Sequence, residues 1–196
     1  ANPTLAQVMA GGPLEERALG RADAPVTVIK YASMTCPYCR KFQAEVFPLL
    51  KRQYIETGKV RYILREFPIG KQSGLATLAL RCAPADKHFA LYDKLMAQQP
   101  AWVSQEVRPD PIFKVAQLVG MTRAQFDACI GDGKLAQDLN AVKERGRTLG
   151  VIGTPNFFIN GRLVKSVLDG PKLTQMIEAE LAGRGAVAAA PGGGER

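Results

Sequence analysis

The chain has 196 residues, with 26 Lys and Arg against 18 Asp and Glu, a formal charge of +8 and 46% apolar side chains. That composition excludes a wholly disordered chain and is ample for one buried core, as one domain or one domain carrying an insertion. No run of about 18 apolar residues offers a membrane span, and the single histidine excludes a His-rich metal site.

Residues 1–12 read as a loose N-terminal arm. No charged-then-apolar leader opens the sequence, so it reads as a mature or trimmed form, or as a cytosolic chain. The β-branched run Val26-Thr27-Val28-Ile29-Lys30-Tyr31 predicts a buried strand. Cys36-Pro37-Tyr38-Cys39 follows, and then Phe42, Val46, Leu49, Leu50 and Tyr54 recur at helical spacing. Pro37 suits the first turn, where its missing N–H has no partner to lose, whereas Pro48 should kink the helix and Gly58 end it. Val60 to Phe67 alternates as a second strand, which completes a βαβ unit.

Residues 71–149 hold no convincing strand and read as a cluster of helices, an insert forming a helical lid. Asp86 is a candidate cap for a helix carrying Phe89, Leu91, Tyr92, Leu95 and Met96. Asp110-Pro111 starts another that Gly120 stops, Thr122 with Gln125 is a capping-box signature, and Gly133 to Gly150 gives a more polar helix. Strand character returns at Phe157-Phe158-Ile159 and Leu163-Val164, joined by Asn160-Gly161, the strongest short hairpin signal. Pro171 opens a last helix that Gly183 closes, and 184–196 reads as a disordered tail. The expected division is therefore 13–70 with 150–183 as one discontinuous mixed-sheet domain, and 71–149 as an inserted helical domain.

The positive charge is locally denser between Lys51 and Lys71. It could face an anionic partner, but no aromatic-studded basic groove accompanies it. We read it as a solvated face rather than a nucleic-acid surface.

Four cysteines carry the chemistry. Cys36 and Cys39 bracket two residues between the end of a strand and the start of a helix. A helix N-terminus offers unpaired N–H groups and roughly half a unit of positive charge, which favours thiolate over thiol. Cys36, at the tip, is the expected nucleophile. Cys39, one turn on, is the expected resolving thiol that closes a small disulfide and expels the partner. A zinc site would need a second ligand pair of similar spacing, which Cys82 and Cys129 do not supply, so no metal is expected. A purely structural disulfide across this short gap is improbable. His88 and Trp102 carry no site signal, and Met34 is expected on an apolar rim around the dithiol.

Ala24-Pro25-Val26-Thr27, Cys36-Pro37-Tyr38-Cys39, Arg65-Glu66-Phe67-Pro68 and Gly153-Thr154-Pro155 together resemble the DsbA-like thiol–disulfide oxidoreductases, from about Gly20 to Gly183. The resemblance implies an α/β thioredoxin fold with an inserted helical domain, in a bacterial periplasmic protein whose signal peptide is absent from this sequence. It places a cis-proline at Pro155, facing the dithiol, so that Thr154 can offer its backbone to an extended client segment as an added strand. Some relatives carry a second disulfide, and Cys82 with Cys129 matches it. If paired, they close a loop of about 47 residues, worth about 4 kcal/mol in the chain-entropy treatment; the alternative is two buried free thiols.

Three residues depart from the family pattern. Tyr38 stands where the strong oxidants carry a histidine. Lys30 stands where relatives carry a buried Glu or Asp that handles the resolving thiol's proton. Its cation would favour nearby thiolate if it points inward; alternatively its stem snorkels outward. Glu66 is a candidate substitute carboxylate or ion-pair partner for Lys30. Thr154 before the proline is commoner in isomerase relatives.

The resemblance implies a dithiol oxidase that passes the Cys36–Cys39 disulfide to reduced or unfolded client proteins and is reoxidised by a DsbB-type membrane partner, as a monomer with no organic cofactor. The alternatives are an isomerase or reductase kept reduced by a DsbD-type partner, and a redox-inert chaperone-like or metal-handling binder using the same cleft.

Overall fold

The computed structural model describes residues 2–189. In chain order the elements are α1 (Leu5–Met9), β1 (Arg17–Leu19), β2 (Val26–Ala32), α2 (Pro37–Glu45), α3 (Phe47–Leu50), β3 (Val60–Glu66), α4 (Lys71–Cys82), α5 (His88–Ala97), α6 (Gln99–Trp102), α7 (Pro109–Ala116), α8 (Arg123–Ile130), α9 (Gly133–Thr148), β4 (Asn156–Ile159), β5 (Arg162–Val164) and α10 (Gly170–Ala189).

The five strands form one sheet in the order β1-β3-β2-β4-β5. Only β2 and β3 run parallel, joined over α2 and α3; every other neighbouring pair is antiparallel. Register places Lys30 between Leu64 of β3 and Phe157 of β4. Because strand side chains alternate, Val26, Val28, Lys30 and Ala32 share one face, while Ile29 and Tyr31 take the other. The first face joins α2, α3, α10 and the helical segment in one continuous core that includes Phe42, Leu50, Tyr62, Leu91, Trp102, Phe126 and Phe157. The second packs Ile29, Tyr31, Ile63 and Phe158 against Val8, Leu149 and Val151.

Pro48 breaks the long helix as its missing N–H requires: α2 stops at Glu45, α3 restarts at Phe47, and a π-helical turn covers Lys51–Ile55. Thr122 and Gln125 form the expected capping box. Asn160 (φ 46°) and Gly161 (φ 84°) make the two-residue turn between β4 and β5.

Four expectations need correction. The arm is not loose. Thr4 and Gln7 form a capping box for α1, Val8 is fully buried, and the buried Arg65 donates to the Val8 and Met9 carbonyls while gripping Glu16 at 2.7 and 3.0 Å. The sheet also gains an edge strand, β1, too short to show a period in sequence. Asp86 does not cap α5, because it lies inside a 3-10 turn, Ala85–Lys87, one residue too early. Finally, α10 runs past Gly183 to Ala189, since a helix interior tolerates glycine at a cost of about 1 kcal/mol. The rest of the expected tail, 190–196, lies outside the described residues.

Candidate active site

Cys36 is the N-cap of α2 and Pro37 fills its first turn. The Cys39 N–H donates to Cys36 Sγ at 3.2 Å, so the sulfur takes the place an Asp or Ser oxygen holds at an ordinary cap. Across the site the Thr154–Pro155 peptide is cis, and the Cys36 thiol donates to the Thr154 carbonyl at 3.5 Å. Asn156 fixes that loop: Ile152 N–H donates to Oδ1 at 3.1 Å, and Nδ2 donates to the Pro155 and Lys165 carbonyls. The structure thus brings together Cys36, Pro37, Tyr38, Cys39, Thr154 and Pro155.

The two sulfurs have opposite environments. Cys36 is half-buried and its thiol is lowered to about 6, chiefly by the hydrogen bond from the Cys39 thiol; the Thr154 side chain and the Cys39 and Tyr38 backbone N–H groups add to this against a burial cost. Cys39 is fully buried, and burial pushes its thiol far above the ordinary range; the hydrogen bond to Cys36 adds to that, and Lys30 opposes it. One sulfur is prepared as a thiolate at neutral pH while the other holds its proton.

Lys30 points inward. It is completely buried, with Nζ 3.0 Å from the Tyr92 hydroxyl and 4.7 and 4.8 Å from the ring centres of Phe42 and Tyr92. Burial lowers it to about 8, against the charges of Cys39 and Cys36. A cage of aromatic faces is a setting a desolvated ammonium tolerates.

Glu66 is not its partner. Both Glu66 oxygens are taken by Arg81, at 2.8 and 3.1 Å, in a buried pair. Glu66 sits beside Ala32 in the register, two pairs beyond Lys30, where α4 brings Arg81 down onto it. Among the described residues no carboxylate lies within ion-pair distance of Lys30. Met34 is also misplaced by the sequence reading, being buried in the core. The exposed apolar side chains next to the site are Tyr38 (57%) and Ile152 (74%).

Residues far away in sequence hold the turn that carries Cys36. Ser73 of α4 accepts from the Met34 N–H at 3.0 Å and bonds Ser33 Oγ at 2.8 Å. Gln99, opening α6, donates to the Met34 and Cys36 carbonyls at 2.9 and 3.0 Å. Neither had a sequence signal, because a Ser or Gln inside an amphipathic helix is indistinguishable from surface. Cys82 and Cys129 are joined as a disulfide, with α-carbons 6.0 Å apart, tying the end of α4 to α8.

Comparison with known proteins follows the same line. The family described as thioredoxin matches residues 14–179. A Rickettsia bellii protein, provisionally named a protein-disulfide oxidoreductase, is 34% identical over 73% of this chain and 56% of its own length. The chain spans little more than half the length of the Rickettsia relatives it matches. A Bacillus cereus protein named as a probable disulfide bond formation protein D is 28% identical, over 85% of this chain and 79% of its own. Among solved structures, Wolbachia pipientis α-DsbA1 superposes with a TM-score of 0.82 at 25% identity, covering 94% of this chain and 99% of that one. Bacillus subtilis BdbD superposes at 0.78, covering 88% and 97%, and at 24% identity it speaks for the fold alone. The thioredoxin fold with helical elements inserted, expected from the sequence, is the fold found.

Proposed function

Because the chain belongs to the thioredoxin family, we propose that it is a DsbA-like protein thiol–disulfide oxidoreductase that works through Cys36 and Cys39. The observation that carries this reading is the asymmetry of the two sulfurs: Cys36 at a helix start, lowered to about 6, beside a buried Cys39 that keeps its proton.

In the oxidised enzyme a client thiolate attacks Cys36 Sγ. The Cys36–Cys39 bond breaks and its electron pair leaves on Cys39, which takes up a proton. A second client thiolate then attacks the client sulfur of the mixed disulfide, and Cys36 leaves as its stabilised thiolate. A good leaving group makes this direction favourable, so the reading is oxidase rather than reductase. Lys30 adds to it, since a buried cation favours the reduced, thiolate-bearing state. Thr154 and Pro155 position the client backbone, and Pro37 and Tyr38 complete the tip. Glu66 is held by Arg81 and is given no part in the exchange. We read 13–70 with 150–183 as the thioredoxin-like unit and 71–149 as an inserted helical unit, with α1 packed against the first and α10 running on to Ala189.

The clients are reduced or unfolded proteins in the periplasm, and a DsbB-type membrane protein restores the disulfide. The names carried by the Bacillus relatives, disulfide bond formation protein D, support a role in forming disulfides and go no further. Among the described residues no helix is long and apolar enough to cross a membrane.

Equilibrating the Cys36–Cys39 pair with glutathione buffers tests the direction. The expected potential lies near the strong oxidants, about −120 mV; a value near thioredoxin, about −270 mV, would favour the isomerase or reductase reading. Full biological activity in Cys36→Ala would instead support a redox-inert binder.

A further inference from the structure

The face of α2 that begins at Cys36 continues away from the sulfur as one wall of a groove of about 480 Å3. Residues four apart share a helix face, so Arg40 and Ala44 stand below Cys36, and Lys41 and Glu45 stand below Pro37. Arg40 is one turn down, its N–H donating to the Cys36 carbonyl at 3.1 Å. Gln99 and Pro100 of α6, with Val103 just after it, form the opposite wall. Val103 is 42% exposed, so the groove offers apolar contact on one side and charge on the other.

The charges in the groove follow an order. Arg40 and Lys41 are exposed and lie towards the positive end of the α2 dipole, where a cation does not stabilise a helix. Among the described residues neither is paired with a carboxylate, Glu45 included. Across from them the Gln99 amide nitrogen donates to the Met34 and Cys36 carbonyls. Its Oε1 accepts no hydrogen bond among the described residues, which leaves an acceptor in this wall for an incoming main-chain N–H.

We propose that this groove is a subsite for the client chain on one side of its reacting cysteine, and that it selects a carboxylate two residues from that cysteine. The inference rests on the reading that Cys36 exchanges with client sulfurs. At the helical rise of 1.5 Å per residue, Arg40 lies about 6 Å along α2 from Cys36 and Glu45 about 13.5 Å. An extended client advances about 3.3 Å per residue, so its second residue out meets the two cations and its fourth meets Glu45. A carboxylate is therefore favoured at the second position and disfavoured at the fourth. Unpaired rim charges of this kind act on encounter and on the choice of partner.

Peptides with one cysteine, held as its mixed disulfide with thionitrobenzoate, test this. The Cys36 thiolate of the reduced chain attacks the peptide sulfur and forms the new disulfide. The old one breaks, and its electron pair leaves on thionitrobenzoate, the more acidic thiol, whose colour stopped-flow absorbance follows. The peptides carry, on both sides of the cysteine, Glu at the second position, Gln at the second position, or Glu at the fourth. At an ionic strength of about 0.15 M, where charges are screened beyond about 8 Å, Glu at the second position should react about threefold to fivefold faster than Gln. Glu at the fourth should react no faster than Gln. Arg40→Gln with Lys41→Gln should bring the Glu-to-Gln ratio to about one. Lys51→Gln with Arg52→Gln removes the same charge from the exposed π-helical turn and should leave that ratio as it was. Equal rates for Glu and Gln at the second position, or the same gain at the fourth, overturns the proposal. So does an equal loss of the ratio in both double variants, which would assign the preference to the net charge of +8. Failure of every peptide to release thionitrobenzoate would instead overturn the oxidoreductase reading.

Discussion

Arg81 holds both oxygens of Glu66, and both side chains are buried. Arg81 also donates to the Glu15 carbonyl, so the pair ties α4 to β3 and to the segment before β1. Breaking a buried pair from one side strands a charge, which costs about 3–5 kcal/mol. Arg81→Met should therefore lower unfolding free energy by about that amount, whereas Arg81→Met with Glu66→Leu should recover most of it. Urea denaturation of the single and double variants checks both.

Cys36 gives a pH dependence with a defined sign. Its thiol is near 6 in the folded, reduced chain against an ordinary value of 9. Between those values the unfolded chain binds the proton and the folded chain does not, so reduced-state stability from this group rises with pH from about 6 to 9 and is lost as pH falls through 6. Alkylation of Cys36 by iodoacetamide should follow a single titration with its midpoint near 6. A midpoint near 9 would contradict the helix-start argument.

Lys30 is a cost the fold carries for its site. Burial lowers it from 10.5 to about 8, and at 1.36 kcal/mol per unit this amounts to about 3 kcal/mol of lost stability at pH 7. The folded state sheds the proton first, so this loss is complete below about 8 and disappears as pH rises towards 10.5. Lys30→Met should accordingly stabilise the reduced chain at pH 7 and lose its advantage by pH 10.5, in paired denaturation curves. The same variant should raise the Cys36 thiol and shift the glutathione equilibrium towards the disulfide, by about tenfold if the change is about one unit.

The Cys82–Cys129 bridge closes a loop with a separation of 47 residues. Replacing it by Cys82→Ser with Cys129→Ala should lower stability by about 2–4 kcal/mol. Because the bridge lies at α4 and α8, the alkylation midpoint of Cys36 should stay near 6 in this variant.

Much of this was legible in the sequence, for definite reasons. Cys36-Pro37-Tyr38-Cys39 after a β-branched run is a local signal, because strand, cap and first turn are adjacent in the chain. Asn160-Gly161 and Thr122 with Gln125 were readable on the same ground. What escaped was set by contacts between distant segments. Thr4 and Gln7 make the same capping box, yet α1 reads as an arm until Arg65, 57 residues from Val8, closes over it. Lys30 could be placed on the face of Val26 and Val28 by parity, but its inward course depends on Phe42 and Tyr92 from two other helices. Glu66 went to Arg81 because α4 descends there, and Ser73 and Gln99 matter only through the packing of α4 and α6.

Ser73 and Gln99 both reach out of the helical segment to grip the turn that carries Cys36. Any hinge between helices and sheet would have to tear these bonds and would drag the thiolate off its cap. The helical segment is therefore bonded to that turn as a wall beside it, and under the proposed function any adaptation on docking falls to the client.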